Sequence, residues 1–246
     1  MADAALSPGR DAANRASSRV QGPPVTPGKV AIWLFLATEI MFFTGLIGSY
    51  VVLRAGSPAS GYSDKFAPGQ VPDDHLTAAP DAKVYAWPAP YDSATNPLSI
   101  DLTAANTFLL IGSSVSMVFA LGAIQRGNRW GSVGWLAITI LAGAGFLGVQ
   151  IYEYRSLLFG HLYPIGVSPS GHFTPDVSLF ASCFFTMTGF HGAHVAAGVI
   201  MLLCLLVQSI RGVYTRDHHS PVELVGLYWH FVDLVWILLF TVVYLI

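Results

Sequence analysis

Residues 33–43 read WLFLATEIMFF and place one carboxylate, Glu39, in the middle of an apolar run. The run belongs to a longer apolar segment at about residues 29–53, and a helix of about 20 such residues crosses the hydrocarbon core of a bilayer. By helical rise, Glu39 lies about 15 Å into that segment, close to the middle of a membrane. The stretch therefore predicts a transmembrane helix that carries an acid at membrane depth.

The composition of the whole chain is that of a membrane protein. Hydrophobic residues make up 53% of its 246 residues and charged residues 11%, whereas soluble domains carry charge on about a quarter of their positions. We predict an all-α membrane protein, a bundle of five transmembrane helices that forms one domain from residue 29 to 246. The four further helices are predicted at about 103–125, 131–158, 176–208 and 223–246.

The segments between the predicted helices differ in character. The short connection QRGNRWG, Gln125–Gly131, predicts that the second and third helices are antiparallel neighbours. Residues 1–28 are rich in Ala, Ser, Pro and Arg and lack the apolar core of a signal peptide, so we interpret them as a flexible cytoplasmic tail. Residues 55–102 are rich in Pro, Gly and Asp and have no helical period, which indicates a long external loop.

The basic residues predict how the chain is oriented, because cytoplasmic loops hold an excess of Lys and Arg. On the other side of the membrane the basic residues are fewer and are mixed with aspartates. We therefore expect the amino terminus inside and, after five crossings, the carboxyl terminus outside. The basic residues assigned to the inner side are Arg10, Arg15, Arg19, Lys29, Arg126, Arg129, Arg211 and Arg216.

Polar residues recur inside the predicted helices, where ionisable groups are rare and normally face protein, water or a partner. In the third helix, Gln150, Glu153 and Tyr154 follow the i, i+3, i+4 spacing and share one face. In the fourth, His191 and His194 are three positions apart, and the small residues around them let another helix approach closely. These side chains predict a hydrogen-bonded network within the bundle.

The fifth helix adds His230 and Asp233 at a spacing of three, and Glu223 in its first turn. We expect the membrane histidines to donate to carboxylates such as Glu153, Glu223 and Asp233, since each buried acid needs a partner. For Glu39 two alternatives stay open: a proton or lipid site, or a protonated acid that only contributes to packing.

Metal sites are the competing interpretation of these histidines. Di-metal carboxylate bundles carry Glu-x-x-His on each of two helices, and that motif is absent from the sequence. The Cys, Met and His set that copper requires is also missing, whereas haem ligation by two histidines on facing helices is not excluded by their spacing. We expect no metal in this chain. The net charge of −2 gives no sign of a nucleic-acid partner.

Five motifs, one in each predicted helix and in this order, carry a family resemblance: LFLATEIMFFTGL, NTFLLIGSSVSM, GVQIYEY, TGFHGAHVAAG and YWHFVDLVWILLF. On these motifs the chain closely resembles subunit III of the haem-copper terminal oxidases, the cytochrome c oxidase subunit III family. Longer members of that family have seven helices, and this chain resembles the shorter, five-helix bacterial form that lacks the first two.

The resemblance implies an accessory subunit without redox centres or an active site of its own. Such a subunit packs on oxidase subunit I, with subunit II or other respiratory subunits as further neighbours, and those partners hold the haems and copper. It supports proton uptake and the stability of the oxygen-reducing centre in aerobic respiration, binds phospholipid, and lies in the bacterial inner membrane. Glu39 corresponds to the membrane-embedded glutamate of the family, for which the resemblance implies a proton-handling or lipid-facing role.

Three alternatives to a cytochrome c oxidase subunit remain. Quinol oxidase members of the family tend to carry aspartate at the position of Glu39, so the glutamate favours cytochrome c as electron donor. A homologue associated with nitric oxide reductase is the second alternative. The third is an autonomous proton-coupled transporter that uses Glu39 or Glu153; such folds often show inverted repeats or interrupted helices, and the sequence shows neither.

Overall fold

The structure is a computed structural model that describes residues 26–56, 98–159, 175, 179–216 and 218–245. It contains five α-helices, and a π-helical turn, Thr241–Leu245, continues the last of them. All five helices are long and apolar enough to cross a membrane, which confirms the predicted fold class. The helices are α1 (Pro27–Gly56), α2 (Ile100–Gln125), α3 (Arg129–Phe159), α4 (Leu179–Ile210) and α5 (Ser220–Phe240).

Four of the five helices, α1, α2, α3 and α5, begin two or three residues earlier than the sequence analysis placed them. Pro27 is the first residue of α1. Proline suits this position because the N–H of the first helical residue has no acceptor within the helix. The N–H of Thr103 donates to the carbonyl of Ser99 at 3.1 Å, so α2 is already formed three residues before Thr103. The remainder of the predicted tail, residues 1–25, and of the predicted external loop, residues 57–97, lie outside the described residues. Both stay predictions, as does the orientation of the termini.

Four of the helices close into a bundle. The packing partners are α2 with α3, α3 with α4, α4 with α5, and α5 with α2. The predicted neighbourhood of the second and third helices is thus confirmed, and the turn between them is completed by Gly127, whose φ of 75° favours glycine. A second glycine with positive φ, Gly212 at 76°, follows α4. There the N–H of Arg129 Nε donates to the carbonyl of Ser209 at 3.1 Å and joins α3 to the end of α4.

Helix α1 lies outside this bundle, against α4 and α5. Only 11% of its membrane-spanning window is buried, against 33% to 44% for the other four helices. Leu36, Phe43 and Tyr50 recur every seven residues and form the buried stripe. Most of the remaining surface of α1 is apolar and exposed, as expected for a helix that meets lipid or another membrane protein.

Trp229 of α5 determines how closely the bundle helices approach one another. Its indole is buried and donates to Ser113 Oγ at 3.0 Å. A Cβ atom at Gly143 of α3 would lie 2.5 Å from the indole, and one at Gly198 of α4 would lie 2.8 Å from it. Both positions therefore require glycine for the helices to pack against this ring.

The loop that joins α4 to α5 carries a buried tyrosine. Tyr214 is 8% exposed, and its hydroxyl donates to Gln208 Oε1 at 2.6 Å. Burial raises the pKa of the Tyr214 phenol, because the charged phenolate is poorly solvated there. The phenol therefore stays protonated and keeps its hydrogen bond to Gln208 at physiological pH.

Candidate functional site

Glu39 of α1 contacts a histidine of α4. Its Oε2 lies 3.0 Å from Nε2 of His194, and Nδ1 of the same ring lies 2.8 Å from the carbonyl oxygen of Phe190. A carbonyl only accepts hydrogen bonds, so Nδ1 must carry a hydrogen. One further proton must then lie between Nε2 and Oε2 for that contact to be a hydrogen bond. Whether this proton resides on the acid or on the ring, the pair has no net charge.

Aromatic rings and one phenol surround the Glu39–His194 pair. The rings of Phe42 and Phe43 lie 6.5 and 5.2 Å from the imidazole, centroid to centroid. The hydroxyl of Tyr228 in α5 donates to the backbone carbonyl of His194 at 3.0 Å. The pair is not sealed: the side chain of His194 is 18% exposed and that of Glu39 19%. A single proton is thus held close to the outer surface of the bundle at mid-membrane.

A second polar group joins α5 to α2. Ser114 Oγ is hydrogen-bonded to Asp233 Oδ2, and Nδ1 of His230 lies 3.1 Å from the same Oγ. Asp233 is buried at 6% exposure, whereas His230 and Ser114 are half-buried. The sequence analysis singled out His230 and Asp233 but missed Ser114. The hydroxyl-rich run SSVS in an otherwise apolar helix was the signal that could have identified it.

The third helix divides its polar residues between two neighbours. Gln150 Nε2 donates to the carbonyl of Thr188 in α4 at 2.8 Å, and the Tyr154 hydroxyl lies 2.5 Å from Thr188 Oγ1. Gln150 and Tyr154 also contact each other at 3.5 Å. Glu153, by contrast, faces α2 and accepts from Thr103 Oγ1 at 3.4 Å. Because α3 packs between α2 and α4, Gln150 and Tyr154 contact α4 whereas Glu153 contacts α2, although all three lie on one broad face of α3.

The two histidines of α4 also diverge. Side chains three positions apart on a helix point in directions about 60° apart. His194 therefore faces α1, whereas His191 faces the interior of the bundle. His191 is fully buried and stacks on Trp236 with a centroid distance of 4.8 Å, while Phe146 meets it edge-on at 5.7 Å. Among the described residues, neither nitrogen of His191 has a hydrogen-bond partner. The expected pairing with a carboxylate therefore does not hold for His191.

Glu223 also departs from that expectation. Its Oε1 lies 3.0 Å from Nζ of Lys29, so the acid links the start of α5 to the start of α1. The first turn of α5 faces the first turn of α1, where Lys29 is the nearby cation. His230, on the same helix as Glu223, lies about 10 Å farther along it by helical rise. His194 and His230 do meet an acid, directly in the pair with Glu39 and through Ser114 in the contact with Asp233.

Comparison with known proteins identifies the family. The sequence model described as "Cytochrome c oxidase subunit III" matches residues 75–246. Cytochrome c oxidase subunit 3 of Synechocystis sp. is 35% identical over 214 residues, which cover 87% of this chain and 73% of that protein. The chain belongs to the cytochrome c oxidase subunit III family.

Two further relatives of the cytochrome c oxidase subunit III family cover a similar share of the chain. Cytochrome bo(3) ubiquinol oxidase subunit 3 of Pseudomonas putida is 34% identical over 217 residues, covering 88% of this chain and 84% of that protein. Cytochrome c oxidase subunit 3 of Bacillus subtilis is 30% identical over 234 residues, covering 90% and 92%. The relatives thus include subunits of both cytochrome c and quinol oxidases.

For this member of the cytochrome c oxidase subunit III family, the metal question can be put to the described part of the chain. Within it, no three or more His, Cys, Asp or Glu side chains stand close enough together to hold a metal ion. His194, which contacts Glu39, already uses both ring nitrogens in hydrogen bonds. That the chain binds no metal stays a prediction.

Proposed function

We propose that the chain is the accessory subunit III of a haem-copper cytochrome c oxidase in the bacterial inner membrane, with its amino terminus inside. It packs on subunit I, and the partner subunits hold the haems and copper. The chain has no active site of its own in this proposal. It supports proton uptake into the oxygen-reducing subunit and extends the working life of that subunit during turnover.

The Glu39–His194 pair is the observation that carries the proposal. A group that holds one proton without net charge can lie at mid-membrane without the expense of a buried ion. Because both side chains are partly accessible, the proton can be exchanged with a neighbouring subunit or with water at a lipid boundary. The same accessibility supports the alternative role, in which a phospholipid lies against Glu39 and stabilises the contact with the partner.

The electron donor is the finer point of the proposal. Relatives named as cytochrome c oxidase and as ubiquinol oxidase subunits have nearly equal identities, 35% and 34%. Overall similarity therefore does not separate the two classes, and Glu39 in the motif TEIMFF is what favours cytochrome c. A quinol oxidase is the second candidate.

The test uses the assembled complex, purified from membranes of the native host through a tag on this chain. The proposal predicts that the preparation consumes oxygen with reduced cytochrome c and that the same complex without this chain loses activity faster during turnover. Oxygen consumption with a quinol only would move the chain to the second candidate. A tagged chain that brings down no oxidase subunit would contradict the proposal altogether.

A further inference from the structure

Helix α5 presents an outward strip between its contacts with α1 and α2. Phe231 meets α1 through the ring of Phe43, with centroids 6.4 Å apart, and Asp233 meets α2 through Ser114. Between these directions lie positions 227, 230, 234 and 238, which follow helical spacing on one face. We call this set, Leu227, His230, Leu234 and Leu238, the α5 strip.

The α5 strip is apolar apart from its histidine. Leu234 is 58% exposed and Leu238 49%, while Leu227 and His230 are half-buried. On α2, next to Ser114 in sequence, Val115 is 51% exposed. The α5 strip is therefore a membrane-depth surface in which His230 is the one polar side chain.

One ring nitrogen of His230 contacts Ser114, and the other has no hydrogen-bond partner among the described residues. Nδ1 lies 3.1 Å from Ser114 Oγ, whereas Nε2 makes no hydrogen bond to any residue that the structure describes. Unlike the nitrogens of His191, Nε2 of His230 is not sealed inside the bundle. It therefore lies where a molecule packed on the α5 strip can reach it.

The positions of the protons in the Asp233–Ser114–His230 group determine whether Nε2 donates or accepts a hydrogen bond. If Asp233 is ionised, it accepts the hydroxyl hydrogen of Ser114, and an imidazolium donates its Nδ1–H to Ser114. If Asp233 is protonated, it donates to Ser114, and Ser114 donates to Nδ1 of a neutral imidazole. In a third electroneutral arrangement Asp233 carries its proton on Oδ1, Ser114 donates to Oδ2, and a neutral imidazole donates its Nδ1–H to Ser114. Nε2 is then a donor in the first two arrangements and an acceptor in the third. In all three it is a hydrogen-bonding atom that no described residue engages, at a depth where unsatisfied polar groups are expensive.

We propose that the α5 strip is the docking surface for a transmembrane helix of a partner oxidase subunit that supplies a polar group to hydrogen-bond with Nε2 of His230. The group is a hydroxyl or a side-chain amide, each of which can donate and accept. Hydrogen bonds of this kind join helices within membranes. An acyl chain would cover the leucines equally well but has no polar group at mid-membrane, so it would leave Nε2 unsatisfied. The inference rests on the proposed function, because it takes the partner to belong to the same oxidase.

Site-specific photo-crosslinking in native membranes tests the docking surface. A photoreactive amino acid is placed at Leu234 of the tagged chain, and matched controls are placed at Leu141 on α3 and Met41 on α1, which are 72% and 75% exposed. We expect position 234 to give a covalent adduct with one oxidase subunit, in at least tenfold higher yield than either control gives with that subunit. Lipid adducts alone at position 234, from a chain that still co-purifies with the oxidase, would overturn the inference and leave the proposed function intact.

The hydrogen bond itself is tested by two substitutions of His230. His230→Gln keeps a polar amide, which can donate or accept, near the position of Nε2, whereas His230→Phe keeps a ring of similar size without a polar atom. We expect the yield of the adduct at position 234 to fall at least fivefold in His230→Phe and to be largely retained in His230→Gln. Equal yields in all three proteins would overturn the proposed hydrogen bond. The unsubstituted crosslink at position 234 decides the docking surface even if His230→Phe fails to fold.

Discussion

At the scale of single residues, the contact between Glu39 and His194 explains how an acid is accommodated in the run WLFLATEIMFF. The bond from Nδ1 to the carbonyl of Phe190 fixes the tautomer, and one proton completes the contact between ring and carboxyl. The depth of Glu39 could be predicted from helical rise alone. Its partner could not, since 155 positions separate the two residues and only the rotation of α1 and α4 about their axes brings them together.

The residue prediction concerns Glu39→Gln in the assembled oxidase. The amide can still donate to Nε2 of His194, but it has no ionisable proton to pass on. We expect unchanged haem absorption bands, fewer turnovers before inactivation, and less retained phospholipid, as seen in absorption spectra, activity time courses and lipid analysis. Met41→Leu on the exposed face of α1 is the control and should behave as the unsubstituted protein. A variant that loses a haem band would contradict the proposed role.

The two members of the pair should also be energetically coupled. Glu39→Leu or His194→Leu alone leaves a polar group without its partner, and we expect each to lower the free energy of unfolding by about 1–3 kcal/mol. The double variant should lose clearly less than the sum of the two, because residues in contact are not additive. The coupling is measured by unfolding the unsubstituted chain, the two single variants and the double variant in the same detergent. Losses of unfolding free energy that simply add would show that the contact is absent.

At the scale of helices, the sequence predicts the elements well because the membrane leaves little choice. A backbone in hydrocarbon must satisfy its own hydrogen bonds, so five apolar segments of sufficient length become five helices. It does not predict which side chains meet between them. Ser114 received no role. The small residues around the two histidines of α4 did predict a close helix approach, but not that Trp229 packs against Gly143 and Gly198, since such contacts depend on how neighbouring helices are rotated. His191 was wrongly expected to meet an acid because its environment is built by rings from α3 and α5.

The helix prediction tests the close packing around Trp229. We expect Gly198→Ala to destabilise the chain by about 1–3 kcal/mol, because its methyl group would lie 2.8 Å from the indole and overpacks the bundle. Gly148→Ala in α3 has nothing within 4 Å of the new methyl group, so its effect should stay within about 0.5 kcal/mol. Thermal unfolding of both variants in the same detergent makes the comparison. Equal melting temperatures would refute the packing argument.

At the scale of the whole molecule, α1 is the helix with the smallest buried share in the part of the chain that the structure describes. Its contacts with the bundle there include one apolar stripe, the Glu39–His194 pair and the Lys29–Glu223 ion pair. The ion pair is partly exposed, at 38% for Lys29 and 34% for Glu223, and such pairs contribute only about 0–1 kcal/mol. The position of α1 therefore depends mainly on packing and on whatever covers its exposed face in the membrane.

The metal content of the isolated chain is a prediction at the same scale. Both ring nitrogens of His194 and Nδ1 of His230 are committed to hydrogen bonds, and His191 is enclosed by aromatic rings. We expect iron, copper and zinc each to be well below one atom per chain when elemental analysis is carried out after partner subunits are removed. The intact complex provides the positive control for iron and copper. One tightly bound metal per chain would contradict the assignment of these histidines.

Native mass spectrometry of the complex purified through this chain tests the central claim most directly, since it reports partner subunits, cofactors and retained lipids in one experiment. The account predicts one copy of this chain together with oxidase subunits that carry haem and copper. It also predicts that the chain, once dissociated in the instrument, has the mass of the polypeptide with or without phospholipid. A dissociated chain that carries haem or copper, or a chain that is found without any oxidase subunit, would contradict it.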